Sequence, residues 1–202
     1  MKKTKIGIYG GTFSPPHIGH IRAAEAFYRE ILPDKLFIIP TFIPPHKDHS
    51  EQVSASDRLN MCELAFEHIP NTYISDIEIK RQGKSYTYLT LEELKSDENE
   101  LYFLVGTDML LTLDSWRFPE KIFDLATICF VRREDDGDKN TKIEEKIKLY
   151  REKYAARIIR IKNDAIEISS TELREKINSN GVLQKYIPSD VLEYITRGGL
   201  YS

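Results

Sequence analysis

Cysteine is scarce. Cys62 and Cys129 are the two in 202 residues, each inside an apolar stretch, which argues against a disulfide scaffold or a cysteine-rich metal site and fits a reducing, cytoplasmic compartment. Long apolar runs are missing: nothing approaches the ~20 residues of a membrane span. The apolar run after the basic start ends at Gly10–Gly11, too short for a secretion signal. A basic excess is missing too, with 29 Lys+Arg against 32 Asp+Glu and a formal net charge of −3. That balance argues against a nucleic-acid partner, though a local basic pocket for a phosphorylated small molecule remains compatible with it. No repeat, low-complexity tract or linker divides the chain. One domain over residues 1–202 is expected, long enough to bury roughly 70% of its unfolded surface; a homo-oligomer is left open.

What is there alternates between short apolar bursts and amphipathic stretches. Strands are expected at Lys5–Gly10, Lys35–Pro40, Thr72–Lys80, Glu100–Gly106, Ala126–Arg132 and Arg157–Lys162. Helices are expected at Ile18–Leu32, Ser56–His68, Tyr86–Ser96, Pro119–Leu125, around Ile143–Tyr154, Thr171–Ser179 and Ser189–Arg197. This order implies an α/β fold: Rossmann-like and doubly wound, with a mainly parallel sheet and helices on both faces. Ligands of such sheets sit beyond the carboxyl ends of the strands, at the switch in strand order. Attention therefore falls on Gly10–His20, Pro40–His49, Gly106–Trp116, Arg132–Arg133 and Ile168–Arg174.

The segment GGTFSPPHIGH joins the first strand to the first helix. Gly10 and Gly11 allow close approach of a ligand and tolerate positive φ, and Pro15–Pro16 stiffen the turn. His17 and His20 share a face at the helix start, where free backbone N–H groups, the dipole and two imidazoles suit the phosphates of a nucleotide. Three other readings compete. His17/His20 with His46/His49 could hold zinc, although a Gly-Gly turn and two prolines are not needed for that. A dinucleotide fingerprint is ruled out because G-x-G-x-x-G is absent. The histidines could simply cap the helix; two of them flanking Gly19 after a Gly-Gly loop is more than a cap needs.

With HIGH at His17–His20 and ISSTELR at Ile168–Arg174, the chain resembles the HxGH nucleotidyltransferase superfamily, the latter segment matching its ISxTxxR motif. Class I aminoacyl-tRNA synthetases share the first motif, but this chain is too short and has no KMSKS-like loop. PPHK at Pro44–Lys47, RLNM at Arg58–Met61, SYT at Ser85–Thr87, GTDML at Gly106–Leu110, Trp116 and the closing IPSDVLEYI…LY follow in order. Together they are similar to the bacterial nicotinate mononucleotide adenylyltransferase family from Lys5 to Tyr201. Two positions depart from it: Ser14 and Leu89 stand where the family usually carries aspartate.

The resemblance implies transfer of AMP from ATP to nicotinate mononucleotide, giving nicotinate adenine dinucleotide and pyrophosphate in NAD biosynthesis. Mg²⁺ is expected, bound mainly through ATP phosphates rather than by a protein cage. ATP is expected over Gly10, Gly11, Thr12 and Phe13 and beside Gly106. Its phosphates should face His17, His20, Arg174 and the helix start Ser169–Ser170–Thr171. Asp108 is implied to touch substrate ribose, or else to cap the helix Met109–Leu113. Lys47, Arg132 and Arg133 are candidates for phosphate, or else solvated charges. Trp116 is implied to stack on the cationic pyridine ring, or else packs in the core. Thr87 and the backbone around Arg117 are implied to receive the nicotinate carboxylate, since backbone N–H donors favour it over an amide. A sister branch acting on phosphopantetheine or using a cytidylyl donor, and a nucleotide sensor without turnover, are the competing functions.

Overall fold

The computed structural model describes residues 2–45, 53–132, 140–163, 168–175 and 183–201. In chain order it forms β1 (Thr4–Gly11), α1 (Ile18–Ile31), β2 (Lys35–Pro40), α2 (Ala55–Phe66), β3 (Thr72–Ile74), α3 (Ile77–Arg81), α4 (Thr87–Leu94), β4 (Asn99–Gly106) and α5 (Thr107–Thr112). After these come α6 (Pro119–Leu125), β5 (Ala126–Val131), α7 (Asn140–Tyr154), β6 (Ile158–Arg160), α8 (Ser170–Glu175) and α9 (Ser189–Gly198). The strands lie in the order β3-β2-β1-β4-β5-β6, and every pairing is parallel. The order reverses between β1 and β4, so the carboxyl ends Gly10–Gly11 and Gly106 flank the crevice where such sheets take ligands.

Period-2 alternation explains why both faces are covered. Ile6, Ile8, Leu101, Phe103, Ile128 and Phe130 pack into one core. Their strand neighbours Tyr9, Leu104 and Cys129 point to the other, with Leu36 and Ile38 of β2. Each fully buried apolar side chain of this kind stabilises the fold by about 1.5–3 kcal/mol. Cys62 and Cys129 belong to the second core, and burial pushes both thiols far up, which makes them structural.

Three expectations are corrected. The stretch Thr72–Lys80 is strand only to Ile74; after the last bond, Ser75 N–H to the Ile38 carbonyl, the chain winds into α3. There Lys80 pairs with Asp76 and Arg81 with Glu78 at helical spacing. Gly10 and Gly11 end β1 without positive φ; the turn's left-handed residue is Phe13, at φ 48°. Asp108 is no N-cap, because α5 begins two residues earlier than expected, at Thr107, with Gly106 as its cap.

Candidate active site

The first loop is built around its two histidines. His17 is the N-cap of α1, its Nδ1 accepting from Gly19 N–H at 3.2 Å, while His20 Nδ1 accepts from His17 N–H at 3.3 Å. The result is a reciprocal cap made of imidazoles, with ring centroids 3.7 Å apart. A Cβ on Gly19 would stand 3.0 Å from the His17 ring, which explains why a glycine separates the pair. The capping reading is thus correct, and it specifies the chemistry. A ring nitrogen that accepts carries no proton, so each imidazole holds its proton on Nε2, as a donor.

The free N–H groups expected here are absent. Ile18 N–H donates to the Tyr186 carbonyl at 2.8 Å, Gly19 N–H to His17 Nδ1, and His20 N–H to the His17 carbonyl at 2.8 Å. The donors that this end of the site offers are side chains. Both histidines line a small cavity with Tyr9, Gly106, Arg132 and Ile168. Phe13, expected beside ATP, has its ring turned into the core, edge-on to Tyr9, His20 and Phe66, so its backbone is what it can offer to a ligand.

The second motif lies against the first. Ser169 and Glu172 form a capping box at the start of α8, and Ser170 Oγ donates to the Pro15 carbonyl at 3.1 Å. Arg174 donates to the Ser14 carbonyl at 2.7 Å and to Thr171 Oγ1 at 3.2 Å, using two of its five donors. Arg132 binds Asn140 Oδ1 at 2.8 Å, and Asn163 bridges its backbone. Arg133, Lys47, His46 and His49 lie outside the described residues, and with the last two goes half of the four-histidine arrangement.

On the opposite sheet face a cavity of about 570 Å³ opens at the same strand ends. Ile8, Ile39, Leu91, Phe103 and Ile122 make it apolar, and Gly10, Gly11 and Thr12 form one edge. Trp116 lines it half-buried, roughly perpendicular to Phe103. Asp108, itself exposed, reaches it from the first turn of α5. Thr87 opens α4, which has no side-chain cap, and the N–H groups of Thr87 and Tyr88 have no partner among the described residues. The same holds for Arg117 N–H, while the Arg117 guanidinium lies over the Phe118 and Tyr86 rings at 4.9 and 5.9 Å. Backbone donors from two segments, Thr87 and Arg117, that have no partner among the described residues therefore meet one apolar cavity. Leu89 is half-buried on α4, and nothing in the structure assigns it a part in the site.

Two supports escaped sequence reasoning. Arg58 is fully buried and donates to the Thr12 carbonyl at 3.0 Å and the Phe42 carbonyl at 3.5 Å, joining the first loop to residues 41–45. A charge three and four residues before the core residues Met61 and Cys62 was the available signal. Glu78 is buried in the cavity wall, its Oε1 accepting from Thr90 Oγ1 at 2.6 Å, which itself accepts from Arg81 at 2.8 Å. Burial raises this carboxyl above its ordinary range, against the hydrogen bonds of Thr90 and Ser85 and the charge of Arg81. The strand reading of Thr72–Lys80 concealed it. Among the described residues no group of three or more His, Cys, Asp or Glu is placed to hold a metal ion, and no helix is long and apolar enough to cross a membrane.

Comparison with known proteins adds an independent line. The model of the cytidylyltransferase-like family matches residues 8–176. A probable nicotinate-nucleotide adenylyltransferase of Desulfatibacillum aliphaticivorans is 36% identical, with 98% of this chain and 99% of that protein covered. One from Lachnoclostridium phytofermentans is also 36% identical, covering 98% of each. Among solved structures, Plasmodium falciparum nicotinic acid mononucleotide adenylyltransferase complexed with NaAD superposes with a TM-score of 0.76 at 20% identity, over 98% of this chain and 97% of that one. At that identity it attests the fold.

Proposed function

Because this chain belongs to the cytidylyltransferase-like family, among its nicotinate-nucleotide adenylyltransferases, we propose that it transfers AMP from ATP to nicotinate mononucleotide, releasing pyrophosphate and supplying nicotinate adenine dinucleotide to NAD biosynthesis. The observation that carries this reading is the pairing of a histidine-lined polar cleft with an apolar, amide-edged cavity on either side of the end of β1. ATP lies along Gly10–Phe13 and Gly106. The Nε2–H donors of His17 and His20 and the remaining donors of Arg174 meet its phosphates, with Ser169–Thr171 behind them. The pyridine mononucleotide fills the cavity, its ring on Trp116, its ribose near Asp108 and its carboxylate on the N–H groups of Thr87 and Arg117. Lys47 and Arg133 are read as phosphate partners.

The substrate's 5′-phosphate oxygen attacks the α-phosphorus of ATP in line, and the bond to the bridging oxygen of pyrophosphate breaks. No side chain becomes a covalent nucleophile; the residues position two anions and neutralise charge as it develops. Mg²⁺, in our reading, arrives on the triphosphate and is held mainly by its oxygens, since such an ion needs few protein ligands. When bound it neutralises phosphate charge. We place this activity in one domain over the whole chain, acting in the cytoplasm. Pyrophosphate release with ATP and Mg²⁺ tests the proposal, comparing nicotinate mononucleotide with its amide. Turnover confined to the acid supports both reaction and pocket; equal use of both refutes the carboxylate pocket, and silence with both refutes the reaction.

A further inference from the structure

We infer that Tyr201, far from the first loop in sequence, is a positioning residue for the phosphate-binding loop, acting through the hydroxyl of Ser14. Ser14 is buried, and its Oγ lies 3.0 Å from Tyr201 Oη, a contact between residues 187 positions apart. Its carbonyl accepts from Arg174 at 2.7 Å. One residue thus joins the chain's last turn to the cation placed against the phosphates. Ser14 also sits between Phe13, whose ring is 5.1 Å from His20, and the cap residue His17. A shift of the turn at Ser14 would therefore carry Arg174 and both imidazoles with it.

The tail that brings Tyr201 there is anchored. Tyr194 of α9 donates to Asp57 Oδ1 and accepts from Asn60, both at 2.8 Å, which holds α9 on α2. Gly199 then takes a left-handed conformation at φ 60° and Tyr201 a second at φ 67°. A left-handed backbone is unfavourable for a residue with a Cβ and persists where surrounding contacts demand it. Here the ring is buried and the hydroxyl reaches Ser14. Such a pair is more than an anchor for the tail, because the hydroxyl meets the loop that carries the candidate chemistry.

The inference rests on the reading of that loop as the ATP site, and a double-mutant cycle separates the two. Tyr201→Phe keeps the ring and its packing and removes only the hydroxyl; Ser14→Ala removes the other half. ATP affinity by calorimetry and kcat/KM for ATP are measured in the wild type, both single variants and the double variant. Each single change should weaken both quantities by about fivefold, the worth of one net hydrogen bond. The double variant should be no worse than the weaker single, with KM for the pyridine mononucleotide within about twofold of wild type. Losses that multiply, or a Tyr201→Phe protein that loses melting temperature but no ATP affinity, overturn the inference. Wild type that binds ATP without turnover refutes the proposed reaction alone, and the affinity cycle still decides the role of Tyr201. Wild type that does not bind ATP refutes both.

Discussion

Two helices begin at the site, and they begin in opposite ways. The first turn of α1 has its Ile18, Gly19 and His20 N–H groups paired, by a histidine ring and by backbone carbonyls. α4 opens without a side-chain cap, and the N–H groups of Thr87 and Tyr88 have no partner among the described residues. Orphan donors are inherent to helix starts; what differs is who satisfies them. At α1 the cap consumes backbone donors and converts them into two oriented Nε2–H groups, suited to a large, mobile, highly charged triphosphate. At α4 the backbone itself is left with donors, in the proposed function a rigid reader for one small planar anion.

The contrast predicts separable effects. His20→Ala should lower kcat by roughly a hundred- to a thousandfold, the ~3–4 kcal/mol of one charge-stabilising donor. It should leave the preference for acid over amide intact; near-normal turnover would break the assignment of α1. Thr87→Pro addresses the other end. Proline is tolerated at the first helical position, and Tyr86 before it is already extended, at φ −77° and ψ 121°. The helix should survive while its N–H donor is lost. KM for nicotinate mononucleotide should then rise about tenfold to a hundredfold, the worth of a hydrogen bond to a charged group. Thr87→Ala, which keeps the N–H, should show little of this; equal effects of the two would point to the side chain. Trp116→Ala should raise the same KM about tenfold through lost stacking and cation–π attraction, with the KM for ATP unchanged.

The smallest effects concern the supports, which should answer pH in opposite directions. Hydrogen bonds from Ser54 and then Tyr194 lower the Asp57 carboxyl. Its stabilisation is present above the unfolded value near 3.8 and is lost as pH falls through the folded one. Glu78 is raised by burial, so its contribution is present below the unfolded value near 4.5 and is lost as pH rises through the folded one. In thermal melts, the deficit of Asp57→Asn relative to wild type should therefore shrink towards acid. The standing of Glu78→Gln relative to wild type should improve as pH rises. Parallel trends in the two variants would contradict the assigned environments.

Much of this was legible before any coordinates. Local patterns define β2 and α6 to the residue, and the ends of β1, α1, β4 and β5 to within one or two, because their apolar spacing and their caps are local. The HIGH segment was legible as a cap and as an anion site, although these looked like alternatives; geometry makes the first the means of the second. The error lay at Thr72–Lys80. Its apolar spacing suits a strand at its start and a helix at its end; pairing with β2 stops at Ile38–Ile74 although β2 runs on to Pro40, so the switch is a tertiary choice that spacing does not show. Glu78, placed by that decision, was hidden for the same reason.

By itself the sequence determined the alternation of strands and helices, the imidazole pair with the glycine between, and the residues available at each strand end. These depend on periodicity and on contacts within a few positions. The tertiary structure alone decided which donors remain for a ligand, because Ile18 is satisfied by Tyr186 and no local rule could say so. It also decided that Arg58 would tie two loops together, that Glu78 would stand in a cavity wall, and that Ser14 would meet Tyr201. A hydrogen-bonding group far along the chain finds its partner only when packing brings the two together. Spacing says nothing about that meeting.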